Sequence, residues 1–247
     1  MQPLWFSIFD FSFDYKGTEP AFIDPAPFPW AAELKANYSI IKQELSDYLE
    51  KKQLKSYFNA SMVSRQNSWR TISLKTWNIA LYKNQKDFPA TTALLKKYPE
   101  IISASFNLLE PHSRILPHCG DTNAIYRCHL GLEVPAGLPE CGFRVKEEKR
   151  AWVNGEWLVF MDAYNHEAWN DTGNERYIFL IDVIREEHYN ARYRVGATVL
   201  SSLFLQKRLG SRGVKLVKRP LLVKAMARTA QPFAWVAVHL ANFFKWF

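Results

Sequence analysis

The stretch that decides the fold is Pro117-His118-Cys119-Gly120-Asp121-Thr122-Asn123-Ala124-Ile125-Tyr126-Arg127-Cys128-His129-Leu130-Gly131-Leu132. Its second half, which continues to Val134, predicts a β-strand. Side chains two residues apart lie on the same face of a strand, so Arg127 and His129 project together from one side. The stretch therefore combines a strand with an arginine and a histidine, and places a second histidine, His118, just ahead of them.

Further candidate strands flank this one at regular intervals. Together with the strand at 126–134, they cover residues 101–109, 141–146, 157–160 and 176–183, separated by segments rich in Pro, Gly, Asn and Asp. Many short strands at even spacing are typical of a barrel or a double-sheet jelly roll, the shape of the cupins. We therefore expect the β region to form a sandwich or barrel.

Helices are predicted ahead of the β region. Residues 30–52 carry apolar side chains at spacings of three and four, residues 88–98 form a short helix, and residues 69–77 and 9–15 alternate as strands do. The predicted fold class is α+β and mainly β. It is a double-stranded β-helix (jelly roll, cupin-like) with flanking N-terminal helices and a C-terminal amphipathic helical tail.

Two histidines have unusual surroundings. His118 lies between Pro117 and Cys119-Gly120, and His166 follows 48 residues later, just ahead of another strand. A jelly roll brings the chain around within that distance, so both imidazoles are expected at one barrel mouth. Two neutral imidazoles on facing strands favour a divalent metal site. Taken singly, each is more often a hydrogen-bonded structural histidine.

Two arginines lie in the same region. Arg176 follows His166 by ten residues and begins an almost wholly apolar strand. An arginine within such a strand needs an anion to offset its loss of hydration, and a small dicarboxylate beside a metal would supply one. The alternative for Arg127 or Arg176 is an ion pair with a strand carboxylate such as Glu133 or Asp182.

These motifs resemble the aspartyl/asparaginyl β-hydroxylase family. The resemblance covers about residues 106–185, and it is carried by stretch 117–132, by Asp162-Ala-Tyr-Asn-His166-Glu-Ala-Trp-Asn-Asp, by Arg176 and by Asp182-Val183. The His-x-Gly and Arg-x-His-Leu-Gly motifs and the arginine ten residues after the second histidine are specific. The family resemblance implies an iron(II)- and 2-oxoglutarate-dependent oxygenase, which uses O2, on a double-stranded β-helix.

Position by position, the resemblance implies that His118 and His166 bind iron. Many iron oxygenases carry Asp or Glu two residues after the first histidine, where this chain has Gly120. The family is similar in lacking that ligand, so water is expected there, with Asp162 or Asp121 as its hydrogen-bond partner. An open position would also admit a halide, as in iron halogenases.

The resemblance also assigns the cosubstrate contacts. Arg176 would hold the distal carboxylate of 2-oxoglutarate, and Asn107 would assist it at a position where a family relative has serine. Arg127 and His129 would contact the metal-proximal end. With His118 and His166, Arg176 is thus an expected catalytic residue.

The charge of the chain is unevenly distributed. Residues 188–247 contain eleven Lys and Arg and no Asp or Glu, whereas the whole chain carries +8, so residues 1–187 carry −3. Such asymmetry points to an anionic surface, of which a membrane is favoured over nucleic acid because wide apolar stretches separate the charges.

Within residues 188–247, the sequence predicts a helix from Pro220 to the end, with a kink at Pro232. The glycines at 210–213 predict a break ahead of it. Its polar side chains share one narrow face: Lys224, Arg228, Gln231, Trp235, His239 and Asn242. The longest uncharged run, 229–244, is shorter than the roughly 20 residues that span a bilayer. A helix lying in a membrane interface is expected, and packing on the body or on a partner chain is the alternative.

The sequence predicts an oxygenase domain over residues 1–190, with a β-helix core at about 101–186, and a basic amphipathic tail over 191–247. The expected activity is hydroxylation of a peptidyl Asp/Asn side chain or, as in bacterial members that act on lipids such as lipid A, of an acyl chain. A non-catalytic cupin-like membrane-associated binding module and a halogenase are the alternatives. Three cysteines without CxxC spacing, and a start unlike a signal peptide, predict a cytoplasmic protein. The basic tail predicts that it is peripheral on the inner face of a membrane.

Overall fold

The computed structural model describes residues 3–8, 15–217 and 220–245, with only the backbone at 206, 208–217, 220–224 and 227. The described strands are β1 Phe22–Ile23, β2 Lys55–Ser56, β3 Trp69–Thr76, β4 Ile79–Ala80, β5 Ile101–Leu109, β6 Ser113–His118, β7 Ile125–Glu133, β8 Cys141–Val145, β9 Glu148–Arg150, β10 Trp157–Met161, β11 His166–Asn170 and β12 Arg176–Ile184. The described helices are α1 Pro29–Ala36, α2 Tyr38–Leu49, α3 Tyr82–Gln85, α4 Pro89–Lys96, α5 Arg192–Val217 and α6 Pro220–Phe244, with short 3-10 helices at Ala60–Met62 and Glu186–Ala191.

The strands form two antiparallel sheets. The large sheet has the order β1-β10-β7-β12-β5-β3-β2, with β4 paired to β3, and the small sheet has the order β6-β11-β8-β9. From β5 onwards the chain passes repeatedly from one sheet to the other. This alternation makes a double-stranded β-helix, so the predicted jelly-roll fold class is confirmed.

The two faces of the large sheet have different partners because side chains alternate along each strand. In β5, Ala104, Phe106 and Leu108 point outwards and pack with the apolar faces of α1, α2 and α4. The ring of Phe106 lies 4.6 Å from that of Phe88 and 4.9 Å from that of Phe179. The inward face, which carries Asn107, is thereby left to line the space between the sheets.

Several boundaries differ from the sequence prediction. The helix predicted over 30–52 is two helices that meet at Asn37, whose side chain donates to the carbonyl of Glu33 (2.9 Å) and so competes with the helical hydrogen bonds. The predicted break at 210–213 is wrong, because α5 continues to Val217 and packs along α6. The alternating segment over 9–15 lies outside the described residues except for Tyr15.

Truncating the central ring of the outer core is expected to be costly. Phe106→Ala should lower the free energy of unfolding by about 3–5 kcal/mol, because it opens a cavity between two aromatic neighbours. Urea denaturation measures the change, with Ile40→Ala, at an exposed position of α2, as the control. Equal losses in both variants would contradict this account of the core.

Candidate active site

The two histidines singled out by sequence lie side by side. His118 is the last residue of β6 and His166 is the first of β11, and the two residues are paired across the small sheet. Their ring centroids are 4.2 Å apart. The 47 residues between them leave the small sheet and return to it, so strand pairing brings the two imidazoles together.

Both imidazoles are held in the same tautomer. Nδ1 of His118 lies 2.8 Å from the carbonyl oxygen of Leu116, and Nδ1 of His166 lies 2.8 Å from that of Tyr164. Because a carbonyl only accepts, each Nδ1 carries the proton and each Nε2 keeps its lone pair. Burial lowers the pKa of His118 to about 4 and that of His166 well below its ordinary value, so both rings are neutral.

A carboxylate stands beside this pair. Asp162 is fully buried, and its Oδ1 lies 3.8 Å from Nε2 of His166 and 2.7 Å from Nη1 of Arg127. The contact with Arg127 is an ion pair that is not aligned as a hydrogen bond, so both carboxylate oxygens lack a hydrogen-bond donor. Burial raises the pKa of Asp162, and the charge of Arg127 opposes that rise.

Gly120 makes room for that carboxylate. Its backbone N–H donates to the carbonyl oxygen of Asp162 (2.9 Å), and a Cβ built at Gly120 would lie 1.9 Å from Oδ2 of Asp162. The space that a side chain two residues after His118 would fill is therefore occupied by a carboxylate from the end of a neighbouring strand. The glycine noted in the sequence is thus required by packing.

Arg176 lies deep between the sheets without a counter-charge. It is 1% exposed, its guanidinium stacks 4.3 Å from the ring of Trp152, and its Nε and Nη1 have no hydrogen-bond partner. The alternative ion pair with Glu133 or Asp182 is not formed. Burial lowers the pKa of Arg176 to about 10, which leaves it charged at neutral pH. A buried, unbalanced guanidinium is a site for an anion.

His129 supplies a second donor to the same cavity. Trp152 Nε1 donates to its Nδ1 (3.2 Å), so the proton of the neutral ring is on Nε2, which has no partner. Burial lowers the pKa of His129 well below its usual value, and Arg176 adds to that effect. The cavity is therefore lined by N–H donors from Arg176 and His129 and by two imidazole lone pairs.

The remaining predicted residues are already bonded within the protein. Arg127 pairs with Asp182 across β7 and β12 (Nε to Oδ1, 2.7 Å) as well as with Asp162, as its alternative interpretation expected. Asn107 accepts from Trp69 Nε1 (3.1 Å) and donates to Ser105 Oγ (2.9 Å). Their contacts with a cosubstrate stay predictions.

Asp121 is half-buried beside the same cluster of charges. Its carbonyl oxygen accepts from the backbone N–H of Ser7 (3.0 Å), and burial raises the pKa of its carboxyl to about 6 against the lowering effect of Arg127. Its predicted bond to a metal-bound water stays a prediction.

The sequence missed the aromatic walls of the cavity. The residues around it are Trp69, Asn107, Ile115, His118, Arg127, His129, Phe143, Trp152, Phe160, His166, Ala168, Arg176, Ile178 and Leu180. Trp152 contacts both Arg176 and His129, yet it lies in a loop and carries no pattern of its own. Strands β6 and β11, which carry the histidines, were also missed because they are short and rich in polar residues.

Residues 35–186 match the family described as aspartyl/asparaginyl beta-hydroxylase. The chain belongs to this family. Among its relatives, the ornithine lipid ester-linked acyl 2-hydroxylase of Rhizobium tropici is 32% identical over 76% of this chain and 69% of that protein. The human aspartyl/asparaginyl beta-hydroxylase is 36% identical over 41% of this chain, which covers only 14% of that protein. Both are named as hydroxylases, which supports an enzyme with hydroxylase activity.

Solved structures resemble this family member only in part. A predicted oxalate decarboxylase of Thermotoga maritima aligns with 55% of this chain and 96% of its own at 10% identity and a TM-score of 0.36. A recombinant oxalate oxidase in complex with glycolate aligns with 56% of this chain and 60% of its own at 17% identity and a TM-score of 0.34. At TM-scores this low, neither bears on the reaction.

The residues of this β-hydroxylase-family site fit a metal ion whose coordination sphere is only partly filled by the protein. Over the described residues, no group of three or more His, Cys, Asp or Glu side chains is arranged to hold a metal ion. Two imidazoles nevertheless present their Nε2 lone pairs from paired positions, each fixed by a hydrogen bond from Nδ1 to a carbonyl, as metal-binding histidines are. Two protein ligands would leave the other positions for water and for an anionic cosubstrate.

Adding one methyl group at Gly120 should disturb this site. Gly120→Ala is expected to displace Asp162 from beside His166 and to weaken iron(II) binding about 10- to 100-fold, as loss of a ligand's supporting contact does. Anaerobic calorimetry measures the affinity, and circular dichroism reports the fold. Gly173→Ala is the matched control, since a Cβ there meets nothing within 4 Å. Unchanged iron affinity in Gly120→Ala would refute the role given to this packing.

Proposed function

We propose that this protein is an iron(II)- and 2-oxoglutarate-dependent hydroxylase that acts on a C–H bond of a lipid acyl chain. The observation that carries the proposal is the unbalanced guanidinium of Arg176 in the same cavity as two neutral histidines with free Nε2 atoms. A dicarboxylate that also chelates a metal satisfies both halves of that cavity.

Each half has a defined part in binding. His118 and His166 would hold iron through Nε2. Arg176 would donate two N–H groups to the distal carboxylate of 2-oxoglutarate, and Nε2–H of His129 is a further donor to the cosubstrate. When bound, iron and 2-oxoglutarate together activate O2, so that one oxygen atom enters the substrate C–H bond and the other enters succinate, with release of CO2.

The protein itself positions the reactants and excludes water. Phe143 lies 4.6 Å from Phe160 and 5.8 Å from His166, so aromatic rings wall the space beside the imidazoles. Asp162 and Asp182 neutralise the charge of Arg127, which leaves Arg176 as the unpaired cation of the cavity among the described residues. A carboxylate ligand is therefore drawn to one end of the cavity only.

A lipid substrate is supported by two observations. The lipid hydroxylase relative matches 76% of this chain, whereas the peptidyl Asp/Asn hydroxylase matches 41%. The structure also exposes large apolar side chains on α6. We place the reaction in the cytoplasm at the inner face of a membrane, where the thiols of Cys119, Cys128 and Cys141 stay reduced.

The cofactor assignment is tested by anaerobic titration with iron(II) and 2-oxoglutarate. The wild type should develop a weak visible charge-transfer band, His166→Ala should lose it, and Arg176→Met should need about 100-fold more 2-oxoglutarate because two charged hydrogen bonds are lost. Arg70→Met is the matched control, since Arg70 pairs with Glu110 near the surface. No band, and no succinate under air, would refute the proposal.

The substrate class is tested with polar lipids from the organism that makes the protein. Under air, one lipid should gain the mass of one oxygen atom while an equal amount of succinate forms. A band without any product would favour the non-catalytic module, oxygen transfer to an Asp- or Asn-containing peptide instead would favour a protein substrate, and halide incorporation would favour a halogenase.

A further inference from the structure

One face of α6 exposes a stripe of large apolar side chains. Phe233 and Phe243 are 78% and 79% exposed, and Val236, Leu240 and Phe244 are also exposed. These positions follow the spacing of one helical face. Single exposed apolar residues are ordinary on a protein surface, but a continuous stripe marks a surface that contacts a partner.

The opposite face of α6 is fixed to the body and to α5. Asn242 accepts from the backbone N–H of Ala80 (2.9 Å) and donates to the carbonyl of Asn78 (2.7 Å), and Gln231 donates to Thr198 Oγ1 (2.7 Å). Val238 is buried on the same side. Gln231 and Asn242, which the sequence places on the polar face of this helix, are turned inwards. The apolar stripe therefore faces outwards in a defined orientation.

The helix pair lies at the end of the barrel that carries the histidines. α5 follows the end of β12, where Asp182 is paired with Arg127, after the short 3-10 helix Glu186–Ala191, and its Val195 packs with residues of that end such as Ile125. A Cβ at Gly196 would lie 2.8 Å from the carbonyl oxygen of Trp77, so α5 approaches closely. Arg176 lies at the other end of β12.

The charge around the stripe selects the kind of partner. Residues 188–247 hold eleven Lys and Arg and no carboxylate, and Arg194, Lys207 and Arg228 are exposed. A second copy of this surface would bring like charges together, whereas an anionic bilayer offers both an apolar interior and negative headgroups. Over the described residues, no helix has the length and hydropathy needed to cross a membrane.

We propose that α5 and α6 form a docking surface for an anionic lipid bilayer, with the stripe of α6 in the interface and the histidine end of the barrel turned towards the membrane. The docking itself is independent of the proposed function. The orientation rests on it, because it would deliver a membrane lipid to the cavity without the lipid leaving the bilayer.

Docking is tested by sedimentation of the full chain, without iron, with vesicles of dioleoylphosphatidylglycerol and dioleoylphosphatidylcholine in equal parts. Phe233→Ser/Phe243→Ser should lower the partition coefficient about 100-fold. Replacing Arg194, Lys207 and Arg228 by Gln should lower it at least about tenfold, as should pure phosphatidylcholine. The control is Ile40→Ser/Val153→Ser, which removes exposed apolar side chains from the body.

Equal sedimentation of Phe233→Ser/Phe243→Ser and the wild type would overturn the proposal. So would size-exclusion chromatography in which the wild type is a dimer and that variant a monomer, since the stripe would then be an interface between copies.

The orientation is tested by comparing turnover of the organism's lipids in vesicles with turnover in detergent micelles. The ratio of vesicle to micelle turnover should fall at least about tenfold in Phe233→Ser/Phe243→Ser relative to the control. An unchanged ratio would refute the orientation. Absence of product from the wild type in both media would refute the proposed function, while sedimentation would still decide the docking.

Discussion

The buried guanidinium of Arg176 is the charge on which the rest of the site depends. A cation so fully removed from water needs an anion, and the described residues supply no ion pair for it. Its surroundings are arranged around that need: Trp152 offers its ring face, and His129 stays neutral with a donor towards the cavity. The other arginine of the cavity, Arg127, is held by two carboxylates, so the positive field is confined to one end. The cavity therefore has a cationic end and an imidazole end.

Asp162 shows how a side chain that is missing from one segment is replaced from another. Gly120 leaves a space two residues after His118, and the Asp162 carboxylate enters it from the end of β10. The carboxylate oxygen lies 3.8 Å from Nε2 of His166, but among the described residues Asp162 does not form a three-ligand metal site with the two histidines. If a metal binds here as proposed, such an arrangement would leave more of its coordination sphere to exchangeable groups than a three-ligand site does.

The C-terminal helices relate the charge of the chain to its structure. The acidic body contains the cavity between the sheets, while the eleven basic residues after His188 carry the net positive charge. An amphipathic helix of a globular protein usually packs its apolar face on the rest of the protein. Here Asn242 hydrogen-bonds to Ala80 and Asn78 of the body and Gln231 to Thr198 of α5, and these polar contacts leave the phenylalanines outside. Because polar groups hold α6 to the rest of the chain, its apolar face stays exposed.

From the sequence alone, strands such as β5 and β12 could be predicted, because a short apolar run bounded by turn residues is a local signal of a buried strand. The sequence also identified His118, His166 and Arg176 by their spacing and their family resemblance. Only the tertiary structure decided that β6 pairs with β11, that Trp152 covers Arg176, that Arg127 is neutralised by Asp162 and Asp182, and which face α6 exposes. These are contacts between distant segments, and their geometry depends on how the sheets close, which no local pattern contains.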